Sequence, residues 1–264
     1  LGPQCYIGLT DATKGGYPHY LRKEIGEQPQ AWIDTLSGRA SAGSAEVRFE
    51  HDLMPAAGAA AIGRIVMVSA GASWISSLIG KFMIEELTRI PVEVDYSAEF
   101  RYRNPAIDDR TMLIAVSQSG ETADTLAALE EGKRRGCHLL ALTNTVDSSI
   151  ARKAGAQIYT RCGPEISVTT TKCFLTQIEA FYLFAIHLAA RLGRGGGDDL
   201  LELVDEQELA ALPGFAAEPG HEPVDAPAPQ IDAERIGEGD AAVGAGGPGG
   251  DAPGARPGAQ VAVL

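Results

Sequence analysis

Residues 111–126 read TMLIAVSQSGETADTL, and their order decides the fold. An apolar run from Thr111 to Val116 ends in three hydroxyls, an amide and a glycine, after which a helical pattern opens at Ala123 and runs to Arg135. A strand that turns directly into a helix presents the helix's unpaired N–H groups and the positive end of its dipole, an arrangement that suits anions. The hydroxyls of Ser117, Ser119 and Thr122 and the Gln118 amide add neutral donors, and Gly120 allows close backbone approach. The turn holds no lysine, so it is not a loop for nucleotide triphosphates. A monophosphate on a small polar molecule fits it better. Taken alone, the turn also reads as a serine-rich helix cap with no ligand.

The same β/α order repeats along the chain. Short apolar runs lie at Arg64–Val68, Val92–Tyr96, Thr111–Val116, His138–Thr143 and Gln157–Thr160, a mark of strands covered on both faces. Helical stretches separate them at Ser73–Thr88, Ala123–Arg135 and Ser148–Ala154, and a long one follows at Thr170–Leu192. This predicts an α/β fold: a doubly wound, parallel, five-stranded sheet flanked by helices, with right-handed crossovers and a ligand site at the carboxyl ends of the strands. Tyr17–Ser37 reads as a helical arm interrupted near Pro29. The expected organisation is therefore an arm or linker over residues 1–60, an α/β domain over 61–192 and a tail over 193–264.

The tail holds 15 of the 31 glycines, 8 of the 15 prolines and one aromatic, Phe215, too little apolar material to offset the entropy of ordering. Asp199–Leu212 can form one amphipathic helix, and Pro213–Leu264 is expected to be disordered. The tail also carries −11 of the chain's formal −13, which leaves the first 192 residues close to neutral and argues against nucleic acid as a partner. Four cysteines without C-x-x-C or zinc-finger spacing suggest a reduced, cytoplasmic setting. Five scattered histidines make a metal site improbable, and no cofactor is expected. No run reaches about 18 uninterrupted apolar residues, and the opening LGPQCYIGL has no charged-then-apolar pattern, so neither a membrane partner nor a secretory peptide is expected.

Four segments together resemble the sugar isomerase (SIS) domain, and closely the isomerase half of the glucosamine-6-phosphate synthase family, the glutamine–fructose-6-phosphate aminotransferases. They are GGYPHYLRKEIGEQPQAW (15–32), YSAEFRYRNP (96–105), SQSGETADTLAAL (117–129) and TNTVDSSIARKAGAQIYTRCGPEISVTTTKCF (143–174). The resemblance implies a first SIS subdomain, with a phosphate clamp at Ser117, Gln118, Ser119 and Thr122. It implies a further sugar-phosphate contact at Ser73 and a sugar-site wall at Val168 and Thr170. The implied ligands are fructose 6-phosphate or glucose 6-phosphate, and the implied assembly is a homodimer through this domain. The family more often shows Cys-Gly-Thr-Ser and Val-Ala-Ser-Thr-Lys, where this chain has Ala70-Gly71-Ala72-Ser73 and Val168-Thr169-Thr170-Thr171-Lys172; hydroxyls survive at Ser73 and Thr170.

The family's glutaminase nucleophile and the carboxylate, lysine and histidine of its second subdomain find no counterpart here, so no catalytic residue is assigned. The reading is a clamp without its chemistry, from a synthase lost by truncation or frameshift. A stand-alone hexose-phosphate sensor and a small SIS isomerase remain as alternatives. Glu99, Arg101 and Arg103 read as a surface ion-pair cluster, Lys172 as a solvated or interface lysine, Glu165 as a carboxylate orienting neighbouring backbone, and His187 as a packed histidine.

Overall fold

The computed structural model describes residues 13–40, 47–54 and 56–194. Its centre is a wholly parallel five-stranded sheet in the order β2-β1-β3-β4-β5, formed by β1 (Arg64–Ser69), β2 (Val92–Tyr96), β3 (Thr111–Ser117), β4 (His138–Thr143) and β5 (Gln157–Tyr159). Val68 pairs with Ala115, and Ser117 pairs with Thr143, so the carboxyl ends of β1, β3 and β4 share one edge.

Strand periodicity divides the core. Ile65 and Met67 of β1, Met112, Ile114 and Val116 of β3, and Leu140 and Leu142 of β4 point to one face. There they meet Ile84 of α4 (Ala72–Thr88) and Phe181, Phe184 and Leu188 of α8 (Lys172–Arg191). Val66, Val68, Leu113, Ala115 and Ala141 point to the other face, against Ala128 and Leu129 of α6 (Ala123–Arg134) and Ile150 of α7 (Ser149–Ala154). All seven residues of the central β3 are buried, as a strand covered on both faces requires. α4 and α8 approach closely at Gly80, where an added Cβ would stand 2.5 Å from the Phe181 ring.

The arm is two helices, α1 (Tyr20–Gly26) and α2 (Gln28–Leu36). The break falls at Glu27, ahead of Pro29, which sits in the first turn of α2 where a missing N–H costs nothing. α2 closes the free edge of β5: Arg39 just beyond it donates to the Tyr159 carbonyl at 2.5 Å, and the Thr35 hydroxyl donates to the Thr160 carbonyl. Two short helices were not anticipated, α3 (Ala56–Ala61) and α5 (Ser97–Phe100). Leu53, Met54 and Ala59 join the same core as β1, so packing is continuous across the boundary drawn at residue 60. Only the first two residues of the expected tail, Gly193 and Arg194, are among the described residues.

α8 is long and apolar enough to cross a bilayer by length and composition, yet most of it is buried against the sheet and α4 as the core helix. Its burial includes charge. Glu179 is 3% exposed, neither of its carboxylate oxygens has a hydrogen-bond partner among the described residues, and burial pushes its carboxyl up to about 9 against the pull of Arg39. A folded-state value above the unfolded one means that folding is opposed increasingly as pH rises through the interval from about 4.5 to 9. Glu179→Gln should therefore stabilise the protein at pH 8, on the order of several kcal/mol, and stabilise it much less at pH 5. Urea unfolding at the two pH values checks this; equal shifts at both would refute it.

Candidate functional site

β1 leads through α4 to β2 on one side of the sheet, whereas β3 leads through α6 to β4 on the other, so the order reverses between β1 and β3. In open α/β sheets the loops leaving two such strands diverge, and ligands bind in the crevice at their carboxyl ends. The turn Gly71-Ala72-Ser73 lines one side of it and Ser117–Thr122 the other.

The turn at Ser117–Thr122 is shaped by its own hydroxyls. The Ser117 hydroxyl accepts the Gly120 N–H at 3.1 Å and lies 2.8 Å from the Thr122 hydroxyl, while the Ser119 hydroxyl accepts the Glu121 N–H at 3.2 Å. Thr122 is the N-cap residue of α6, but its side chain makes no cap bond, so the first turn of this twelve-residue helix keeps its field facing the crevice. Nearby carboxylates are turned to other partners. Glu121 accepts the Ser149 N–H at 2.8 Å, which holds its carboxyl below the usual range, and Asp124 pairs with Arg101 at 3.0 Å.

α8, a further long helix that starts at this edge, behaves in the opposite way. One oxygen of Glu165 accepts the N–H groups of Thr171 and Lys172 at 2.6 and 2.9 Å and so closes the start of α8. Glu165 thus orients backbone, as its sequence context suggested. Lys172 is not solvated: it is 3% exposed, and its ammonium donates to Glu27 at 2.7 Å and to the Pro164 carbonyl at 2.9 Å. Its ion-pair partner lies 145 positions away, beyond the reach of local pattern.

Ser73 lies in the first turn of α4 and is buried. Its hydroxyl accepts from Gln177 of α8 at 3.0 Å and keeps its own proton to donate. Val168 and Thr170 lie in the 161–171 loop that leaves β5 at the same edge; Val168 is fully exposed and Thr170 half-buried. No hydrogen bond among the described residues joins either of them to the phosphate turn. Arg101 and Arg103 form ion pairs, Arg101 with Asp124 and Arg103 with Asp95 and Glu93, whereas Glu99 forms none among the described residues. His187 is packed, edge-on to Phe49, with Nδ1 2.9 Å from the Val47 carbonyl. Cys137, Cys162 and Cys173 are buried free thiols, and Cys5 lies outside the described residues. Among the described residues, no three His, Cys, Asp or Glu side chains are grouped to hold a metal.

Sequence reasoning missed Asn144, at the carboxyl end of β4. Its N–H donates to the Gln118 carbonyl at 3.1 Å, its side-chain amide donates to the Gly163 carbonyl at 2.7 Å, and its Oδ1 accepts from the Cys162 N–H at 2.9 Å. One residue thus fastens the phosphate turn to the start of the 161–171 loop. The only local signal was a polar residue immediately past a buried strand.

Residues 60–187 match the family model of the SIS domain. This chain carries a SIS domain. It is 44% identical over 205 residues to the glutamine–fructose-6-phosphate aminotransferase (isomerizing) of Clostridium tetani, a match that covers 78% of this chain and 33% of that protein. It is 48% identical over 201 residues to the protein of the same name from Symbiobacterium thermophilum, covering 76% and 32%. Among solved structures, the C-terminal domain of glucosamine-fructose-6-phosphate aminotransferase from Francisella tularensis matches with a TM-score of 0.68 and 30% identity, covering 75% of this chain and 55% of that one. The chain spans about a third of the length of these curated relatives.

Within the SIS domain, Gly120 leaves no room for a side chain. Its φ is +66°, and a Cβ would stand 2.0 Å from the Ser148 hydroxyl oxygen and 2.8 Å from that of Thr143. Gly120→Ala should cost about 1–3 kcal/mol in strain alone, and more from displacing Ser148. Chemical denaturation measures this loss, and an alanine variant as stable as the parent would contradict the geometry.

Proposed function

We propose that this chain is the sugar-phosphate-binding isomerase subdomain of a glutamine–fructose-6-phosphate aminotransferase, the enzyme type that makes glucosamine 6-phosphate, and that it binds fructose 6-phosphate or glucose 6-phosphate. The observation that carries the reading is how the starts of α6 and α8, at one sheet edge, differ. Glu165 occupies the start of α8, whereas the start of α6 is ringed by hydroxyls and left to an outside anion. Ser117, Ser119 and Thr122, with the Gln118 amide, hold the phosphate. Ser73 donates its remaining proton to the sugar phosphate across the crevice, and Val168 and Thr170 form the wall beside the sugar. Assembly as a homodimer through the SIS domain and a cytoplasmic setting complete the proposal.

Binding by neutral donors and a helix terminus is weak per contact, about 0.3–1 kcal/mol when exposed and up to about 2 when partly buried. Ser119→Ala combined with Thr122→Ala should lower affinity for fructose 6-phosphate roughly tenfold or more in calorimetry, at about 1.4 kcal/mol per decade. Unphosphorylated fructose should not bind. Equal affinity in the double variant and the parent would remove the clamp from the argument.

Turnover is a separate matter. Aldose–ketose isomerisation needs a general base near the C1 and C2 protons. One oxygen of Glu165 is engaged by three donors, the Thr171 and Lys172 N–H groups and the Thr171 hydroxyl, and the other is buried without a partner among the described residues. Anchoring shared by ground and transition states lowers KM without raising kcat. This chain alone should therefore form no glucosamine 6-phosphate from fructose 6-phosphate with glutamine or ammonia. Product above a no-enzyme control would assign chemistry to Glu165 or Lys172.

A further inference from the structure

The 161–171 loop is without helix or strand, yet its backbone is held from outside. One oxygen of Glu24, in α1, accepts the N–H groups of Ile166 and Ser167 at 2.6 and 3.1 Å, and the other oxygen accepts the Ser167 hydroxyl. Glu24 is 2% exposed. Three residues further along the arm, Glu27 accepts from Lys172 at 2.7 Å, and the Gln28 amide donates to the Thr171 carbonyl at 3.3 Å. Val168 and Thr170 are therefore strung between two points that the arm fixes, 166–167 and 171–172. The arm lies outside residues 60–187, the part matched by the SIS family model.

A buried carboxylate with no basic side chain bonded to it among the described residues is placed at an energetic cost unless its hydrogen bonds are satisfied. Glu24 meets that condition only by collecting donors from this loop. We propose that Glu24 is a positioning residue for sugar recognition: through it, α1 sets the loop carrying Val168 and Thr170, while the phosphate turn forms without it. The proposal rests on the sugar-phosphate reading above. It separates the two parts of the ligand, because among the described residues the phosphate turn is braced by Thr143, Asn144, Ser149 and Ile150 and by no residue of the arm.

The test uses the full chain with fructose 6-phosphate and inorganic phosphate as probes, each followed by calorimetry and by ligand-induced thermal shift. Glu24→Ala should weaken fructose 6-phosphate about tenfold or more, the effect of losing hydrogen bonds to a charged acceptor, and change phosphate affinity less than about twofold. Glu24→Gln, whose amide oxygen still accepts the Ile166 and Ser167 N–H groups, should restore most of the sugar-phosphate affinity. If Glu24→Ala does not fold, Ser167→Ala removes one of the bonds and should show a smaller loss with the same selectivity. Parallel loss of both probes, no loss of either, or a Gln variant as weak as the Ala variant would overturn the positioning role. A parent protein that binds neither probe would instead refute the sugar-phosphate reading, and the inference with it.

Discussion

The pairing of β1 with β3 is the constraint on which the rest of the molecule depends. The two strands are separated in sequence by α4 and β2, yet Val68 lies beside Ala115 at the centre of the sheet. Right-handed crossovers then send α4 to one face and α6 to the other. That divergence leaves two helix starts at one edge with a gap between their loops. The burial pattern enforces it: Ile65 and Met67 face α4 and α8 while Val66 and Val68 face α6 and α7, so a register slip of one residue would invert both cores. The crevice is thus a consequence of packing rather than of any residue in it.

What the crevice can bind follows from how each helix start is satisfied. Backbone N–H groups at a helix start must find acceptors in the protein, in water or in a ligand. α8 takes its acceptor from Glu165, six residues ahead of Thr171. In the phosphate turn the hydroxyls of Ser117 and Ser119 turn inward to fix the loop, and the carboxylates of Glu121 and Asp124 are drawn off by Ser149 and Arg101. The absence of a lysine, which argued against nucleotide triphosphates, is matched by a geometry that relies on dipoles and neutral donors.

Most of the sheet was legible because it is written in local periodicity. Buried parallel strands are short apolar runs, and the helices between them are long enough to show a pattern, so boundaries fall within one or two residues of the observed ones. α3, with sequence AAGAAA, has no polar face to reveal a period, and the four residues of α5 are too few to show one. The strand–turn–helix setting of Ser117–Thr122 was legible for a related reason: its hydroxyls and its glycine lie within a dozen residues of the strand and helix they join. The Glu165 contact was legible too, since its partners follow six and seven residues later. Lys172 was misread, and Glu24 and Asn144 were not singled out, because each depends on contacts that the local sequence does not display: Glu27 for Lys172, Ile166 and Ser167 for Glu24, and Gly163 and Gln118 for Asn144.

That difference in legibility is also a difference in assembly. The phosphate turn closes as soon as β3, β4 and the start of α7 are together, because all its braces come from residues 117 to 150. The loop beyond β5 has no such local closure. Its start depends on Asn144, its middle on Glu24 and its end on Glu165, Gln28 and the pairing of buried Lys172 with Glu27. Removing Glu27 would leave the buried Lys172 ammonium only the Pro164 carbonyl, so the arm and the start of α8 are coupled. Thr35 of α2 and Arg39 just beyond it strengthen the same dependence by covering the Thr160 and Tyr159 carbonyls at the end of β5. The turn at 117–122 is therefore held from within the sheet, and the loop beside it is held largely from the arm.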